Sequence, residues 1–378
     1  MKLYHRRWIT VLLTAAVFSV SACAGGEGIP ERTITVCTQV TKWGQMPLSF
    51  DIRGQELPEG IGPEDFGISG EAAAWGTKDT HPFTCSVKDT VRREDGWSLI
   101  PEQFPDKYFY VQNLSVHCEN APELDFTLGE IQQTTTETAD LFSWRETENH
   151  TVKAWVFEPE TREPVPLVLV FHGYGDTQNL LTYRTAVFWA EEAWQKDHPC
   201  VVMAPVIDDG LYISDAARSK TFLQLLEWAE ELIAAGKVDP DRIYAMGNSF
   251  GGMSAIEIAE QHPDQIAAVL ALCPALNYSR TAMAGLAKMR DIPVYFAHAE
   301  NDETISSSVS VQAAAGLEKT GNQTVQIHVY TDEEMTESGA VHGYEQTYSF
   351  HHVELAALEE SSGIPSWLFS QAKQHVSQ

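Results

Sequence analysis

Residues 247–251 read Gly247-Asn248-Ser249-Phe250-Gly251, a Gly-x-Ser-x-Gly pentapeptide. It lies between an apolar run, Ile243-Tyr244-Ala245-Met246, and a segment of helical periodicity that begins at Gly252. A serine held on a sharp strand-to-helix turn occupies a strained backbone conformation. Glycines flank it because a Cβ there would meet the neighbouring strand and helix. Such a turn lifts the hydroxyl above the sheet, and the Phe250 N–H at the helix start can face a developing oxyanion. The chemistry implied is nucleophilic attack by Ser249 on a carbonyl carbon.

A hydroxyl needs a base, usually an imidazole oriented by a carboxylate. For a nucleophile on this kind of turn, the acid follows the serine and the histidine comes last. Asp302 is the candidate acid. It follows the apolar run Pro293-Val294-Tyr295-Phe296-Ala297, in a loop at the carboxyl end of a strand, with Glu300 and Glu303 as alternatives. After the last strand the chain carries His342, His351 and His352. His342 stands in a flexible-looking Val341-His342-Gly343-Tyr344, and His352 directly precedes the helical segment Val353–Leu358. The residues alone do not choose between these two. Upstream, Phe171-His172-Gly173-Tyr174-Gly175 places N–H groups near Gly173 and Tyr174 where they can complete the oxyanion hole. His172 reads as a structural residue of that loop rather than a proton carrier.

The elements that must position these groups are legible as patterns. From about Leu141 strands and helices alternate, the signature of a mostly parallel, doubly wound sheet. Val152–Phe157 is an early strand. Leu167–Phe171 is a continuous apolar run, as expected for a strand covered on both faces. Cys200–Pro205, Ile266–Leu272, Pro293–Ala297 and Val325–Tyr330 read as further strands. Asp239-Pro240-Asp241-Arg242 reads as a turn before the serine strand. Ala186–Trp194 reads as a helix, and Ser214 caps a long one that runs to Ala235. Before this, from about Thr33 to Thr127, the texture is all-β, with Thr33–Val40 and Tyr108–Leu114 as strand candidates. The natural reading there is a small sandwich, with Ig-like topology conjectured rather than read from the residues. The division is 1–23 leader, 24–133 β-sandwich and 138–378 catalytic domain. Trp97, Trp144 and Trp155 read as packing residues.

The first 23 residues carry a basic n-region (Lys2, Arg6, Arg7) and an apolar stretch from Ile9 to Val20. Val20-Ser21-Ala22-Cys23 closes it, resembling the lipobox of bacterial lipoproteins. Lipidation of Cys23 would anchor the chain to the outer face of a bacterial membrane, whereas an ordinary secretory signal would release it, and under both readings an extracytoplasmic location is expected. The formal charge of −28 argues against nucleic acid and anionic membranes as partners. Cys37, Cys85 and Cys118 lie in the first third, where an oxidising compartment would allow one bridge among them. No ligand spacing suggests a metal, so neither metal nor cofactor is expected.

The segments Leu167–Gly175, Asp239–Gly252, Ile292–Ile305 and Trp367–Gln371 resemble secreted bacterial serine esterases of the α/β-hydrolase superfamily. These are related to polyhydroxybutyrate depolymerases and to feruloyl or acetyl-xylan esterases, with a prolyl-oligopeptidase-like catalytic domain. The resemblance rests on Asp239-Pro240-Asp241-Arg242-Ile243-Tyr244 leading to Gly-x-Ser-x-Gly-Gly, and on Ile292-Pro293-Val294 leading to His298 and Asp302. It covers the last two thirds of the chain well. It implies a Ser249–His352–Asp302 triad acting on a small-molecule or polysaccharide-linked ester, and an Ig-like domain ahead of it. His352 is favoured because it stands about fifteen residues before Trp367-Leu368-Phe369-Ser370-Gln371. The aromatic residues usual after that histidine are replaced here by Val353-Glu354-Leu355. A prolyl-oligopeptidase-like peptidase and a non-catalytic binding lipoprotein are the alternatives.

Overall fold

The computed structural model describes residues 32–42, 44–73, 80–102, 110–147, 152–176, 180–340 and 349–373. Cys23, the rest of residues 1–31 and His342 lie outside these residues. The chain divides into two compact units. One comprises residues up to Gln39 and Trp43–Glu137, the other Val40–Lys42 and Thr138 onward.

The first unit is all-β among its described residues, apart from short 3₁₀ turns. Its strands are β1 (Thr33–Thr41), β2 (Gly44–Arg53), β3 (Phe66–Ala73), β4 (Thr80–Arg93), β5 (Gly96–Pro101), β6 (Tyr110–Cys118), β7 (Phe126–Thr127) and β8 (Gln133–Thr136). They are ordered β7-β6-β3-β4-β5-β2-β1-β8. Strand β4 serves two sheets. Its first half pairs with β3 (Ile68 opposite Cys85) and its second half with β5 (Thr90 opposite Leu99), with a register shift between Val87 and Asp89. Alternation buries Ile34, Val36, Phe50, Ile52, Trp97 and Leu99 inside.

Among the described residues no disulfide joins Cys37, Cys85 and Cys118. The topology explains this for one pair. Cys85 on β4 and Cys118 on β6 flank β3 on opposite sides, opposite Ile68 and Phe66. Two inter-strand spacings, about 9–10 Å, separate their strands. A bridge needs Cα atoms within about 7 Å.

The second unit is built on β9 (Ser143–Glu146), β10 (Lys153–Phe157), β11 (Val165–Phe171), β12 (Val201–Val206), β13 (Val238–Asn248), β14 (Ala268–Leu272), β15 (Val294–Ala299) and β16 (Gln326–Tyr330). Their order is β16-β15-β14-β13-β11-β12-β10-β9. The six strands β12, β11, β13, β14, β15 and β16 run parallel, and β10 and β9 extend the edge antiparallel. Every residue of β11 is buried, as the apolar run requires of a strand covered on both faces. One face packs a core including Phe171, Phe222 and Phe296, the other a core including Trp189, Met246 and Leu368.

Two expected elements differ. The helix expected at Ala186–Trp194 is three short turns, Arg184–Val187, Phe188–Ala190 and Glu192–Gln195. It is broken where Glu191 takes φ −59° and ψ 136°. Buried Phe188, Trp189 and Trp194 all pack on one another, and a continuous helix would spread these rings around its axis. Asp239–Arg242, read as a turn, is instead part of β13. The Asp239 carboxylate accepts the Asp241 N–H at 2.9 Å, so the turn chemistry survives inside an irregular strand start. The Ser214 cap is present, its hydroxyl accepting from Ala217 N at 3.3 Å ahead of the helix Asp215–Ala234.

Register decides where the chemistry collects. Phe171 lies opposite Gly247, Asn248 opposite Leu272, and Leu272 opposite Ala297. The residues that leave β11, β13, β14 and β15 therefore emerge side by side. Sequence order reverses between β11 and β13, making this carboxyl edge the switch point where open α/β sheets place ligands.

Candidate active site

Ser249 stands between β13 and the helix Phe250–Gln261 with φ 55° and ψ −120°, a conformation non-glycine residues rarely adopt. Its backbone is tied down on both sides. Its N–H donates to Leu272 O at 2.9 Å, and its carbonyl accepts from Met253 N at 3.1 Å and Ala275 N at 2.9 Å. The flanking glycines are required by space. A Cβ on Gly247 would sit 2.4 Å from the Phe171 carbonyl oxygen, and one on Gly251 would sit 2.0 Å from the same atom.

Asp302 follows β15. Its Oδ1 accepts the Thr304 and Ile305 N–H groups at 2.7 and 2.9 Å, and its Oδ2 lies 2.7 Å from His351 Nδ1. His298 Nε2 approaches the same oxygen at 3.2 Å, and His298 is itself anchored on Ser310 Oγ at 2.7 Å. Burial would raise this carboxyl. The hydrogen bonds from His298 and His351 outweigh that and hold it well below the usual carboxylate range. Glu300 and Glu303, the alternative acids, are exposed.

The histidine facing Asp302 is therefore His351, not His352. His351 ends a 3₁₀ turn, Ser349–His351, and its carbonyl accepts from Cys273 Sγ at 3.2 Å. His352 points elsewhere, with Nδ1 2.7 Å from Glu354 Oε1. The expectation at His352 fails by one residue because adjacent side chains in a tight turn leave in different directions. His342 lies outside the described residues.

The loop after β11 is braced from below. His172 is buried. Its Nε2 accepts the Ile207 N–H at 3.0 Å, so the ring proton sits on Nδ1, which donates to Gly173 O at 2.6 Å. Burial lowers its pKa and keeps it neutral, the structural part read from the sequence. Tyr212 Oη donates to the His172 carbonyl at 2.6 Å, and Asp209 Oδ1 accepts the Gly175 N–H at 3.0 Å. Tyr174 is 52% exposed, and its ring lies 5.3 Å from that of Phe250. The loop carrying Gly173 and Tyr174 thus borders the start of the serine helix. Tyr212, Asp176 and Glu354 carried no recognisable sequence signal, since each stands alone in a loop or short helix.

Cys273, Asp302 and His351 have donor atoms within 4.8 Å of one another. Burial pushes the Cys273 thiol well above its ordinary value, and it donates to a carbonyl, so it is a poor metal ligand. The donor set suits a hydrogen-bonded acid–base pair better than a metal.

The acetyl xylan esterase (AXE1) family model matches residues 89–203, and the prolyl oligopeptidase family model matches residues 212–286. The quorum-quenching protein AidA of Acinetobacter baumannii (strain MDR-ZJ06) is 28% identical over 139 residues, covering 35% of this chain and 42% of AidA. The protein named "Putative esterase NocK" of Nocardia uniformis subsp. tsuyamanensis is 30% identical over 125 residues, covering 29% of this chain and 33% of NocK. The chain thus spans less than half the length of these relatives. A solved structure of a thermostable esterase superposes with a TM-score of 0.68 at 19% identity, over 90% of this chain and 100% of that one. The mixed sheet and the strand–serine–helix turn give the chain the fold of an α/β hydrolase. Both matched families are hydrolases, which supports ester hydrolysis in general.

Proposed function

We propose that this chain is a serine carboxylic-ester hydrolase working through an acyl-enzyme, with Ser249 as nucleophile, His351 as base and Asp302 as its orienting acid. The observation that carries this reading is the 2.7 Å contact between His351 Nδ1 and Asp302 Oδ2, at the sheet edge where Ser249 sits at positive φ. Asp302 fixes the proton on Nδ1 and leaves Nε2 to take the serine proton as Oγ attacks the ester carbonyl. The N–H groups of Phe250 and of the Gly173–Tyr174 loop hold the oxyanion. The imidazolium then protonates the departing alcohol, and water, deprotonated by the same ring, releases the acid. No cofactor takes part in these steps.

The β unit is read as an Ig-like sandwich, and Cys23 as a lipidated residue that holds the protein on the outer face of a bacterial membrane. The two sheets sharing β4 support the first, and Val20-Ser21-Ala22-Cys23 supports the second. Mass spectrometry of the membrane fraction, with Cys23→Ala alongside, tests the anchor.

The test of function is hydrolysis of p-nitrophenyl acetate by wild type and Ser249→Ala. Turnover by wild type alone supports the reading, and equal inertness rejects it. The match of residues 212–286 to the prolyl oligopeptidase model favours one second reading, a peptidase. Release of p-nitroaniline from peptide anilides without ester turnover would select it.

A further inference from the structure

Beside Ser249 lies a cavity of about 30 Å³ lined by His172, Asp176, Leu180, Asn248, His352 and Glu354, among others. Its position follows from Gly173. A Cβ built on that glycine would lie 2.8 Å from Asp176 Oδ2, 3.4 Å from Asn248 Nδ2 and 3.8 Å from the Ser249 Cβ. The cavity therefore adjoins the oxyanion loop and the nucleophile.

Its polar lining is unbalanced. Glu354 is 6% exposed; its Oε1 pairs with His352 Nδ1, but its Oε2 is buried with no partner among the described residues. A buried carboxylate oxygen left unbonded is costly, so it calls for a donor. The charges agree. Asp176 and Glu354 are two carboxylates against the one imidazole of His352, which Glu354 draws toward its charged form despite burial. One further positive charge would balance the set. Burial pushes Asp176 up to about 6 although His352 and His351 act to lower it.

We propose that this cavity is a subsite for a protonated primary amine on the acyl part of the substrate, so that α-amino acyl esters are preferred. The inference rests on the esterase reading and narrows it. An ammonium group has three donors, enough to serve Glu354 and Asp176 together. The small volume suits –NH₃⁺ better than a trimethylammonium head. In an α-amino acyl ester the nitrogen is two bonds from the carbonyl carbon. A carbonyl oxygen held by the Gly173 loop would therefore leave the ammonium at the cavity mouth.

The experiment compares alanine 4-nitrobenzyl ester with 4-nitrobenzyl propionate, which differ by one amino group, on the full chain. The expected result is a kcat/KM ratio of about tenfold or more for the amino ester, because a site built for a polar group rejects the analogue lacking it. In Glu354→Gln and in Asp176→Asn that ratio falls toward one. A purely structural role would lower both rates together and leave the ratio intact. Alaninamide, tested against propionamide as an inhibitor of propionate ester cleavage by wild type, gives the same comparison without any variant. Propionate cleaved as well as or better than the alanyl ester overturns the inference and leaves the esterase standing. So does an unchanged ratio in variants whose thermal unfolding matches wild type. Cleavage of neither ester overturns both.

Discussion

His351 Nδ1 lies 2.7 Å from Asp302 Oδ2, while the next residue, His352, turns its own Nδ1 to Glu354 Oε1 at the same distance. Two adjacent histidines thus have separate carboxylate partners, and only one of those partners leaves the sheet edge beside the serine. His351→Ala removes the proposed general base and is expected to lower kcat on p-nitrophenyl acetate by on the order of 10²–10⁴-fold or more. His352→Ala loses none of that proton transfer and should cost much less. Steady-state kinetics of the two variants decide the matter. A larger loss at His352 would reverse the assignment.

Tyr212 holds the loop proposed to bind the oxyanion from below, through the carbonyl of His172. Its hydroxyl donates to the His172 carbonyl, and burial keeps it protonated by raising its pKa well above the ordinary value. Tyr212→Phe leaves that carbonyl without its donor, at a cost of about 1–3 kcal/mol. Removing one oxyanion donor outright costs about 10²–10³ in kcat, so a displaced loop should lose a fraction of that. We expect kcat to fall several-fold with KM nearly unchanged. A rise in KM alone would mean that the loop binds substrate rather than stabilising the transition state.

How much of this could be read from residues alone follows from range. The serine turn was legible because its strand, glycines and helix lie within a dozen consecutive residues. The place of Asp302 was legible because it follows an apolar run of strand length, Pro293–Ala297, in a polar loop. The histidine facing Asp302 was not, since choosing His351 over His352 depends on the phase of a three-residue turn against a loop 49 positions away. The failed Ala186–Trp194 helix has the same origin, because packing of Trp189 and Trp194 overrides local propensity. The pairing of Arg218 with Glu257 and the lining of the small cavity are long-range facts with no local signature.

Glu260 makes stability depend on pH. It is 4% exposed, its Oε1 has no partner among the described residues, and burial together with nearby Glu257 pushes it up to about 9. Below pH about 4 the carboxyl is protonated in both states, and there is no penalty. As pH rises toward 9 the unfolded chain ionises while the folded one does not, so stability falls across that window. Asp302 has the opposite sign. Its pKa is lowered on folding, so its contribution is present above the ordinary carboxylate range and is lost as acid protonates it. Glu260→Gln should raise Tm at pH 8 by at least about 2 °C and change it little at pH 4. Equal shifts at both pH values would show that charge is not the cause.

Arg218 and Glu257 are each 1% exposed and meet through two bonds of 2.7 Å, joining the helix Asp215–Ala234 to the helix that begins at the serine. Asp215 Oδ1 accepts from Arg218 at 2.7 Å and Ser279 Oγ donates to Glu257 at 2.6 Å, so the ions are well solvated by protein. Such a pair costs desolvation in proportion to its burial, and its net worth against an apolar pair is small. Breaking it by halves strands a buried charge at about 3–5 kcal/mol. Arg218→Met alone and Glu257→Leu alone are therefore expected to unfold at clearly lower denaturant. The double variant should recover most of the loss, because neither charge is left behind. The helix it stabilises begins directly after Ser249, the proposed nucleophile, so activity at saturating substrate should recover together with stability. A double variant as unstable as the sum of the singles would mean that the pair contributes outright, through the Tyr212 carbonyl that Arg218 also holds.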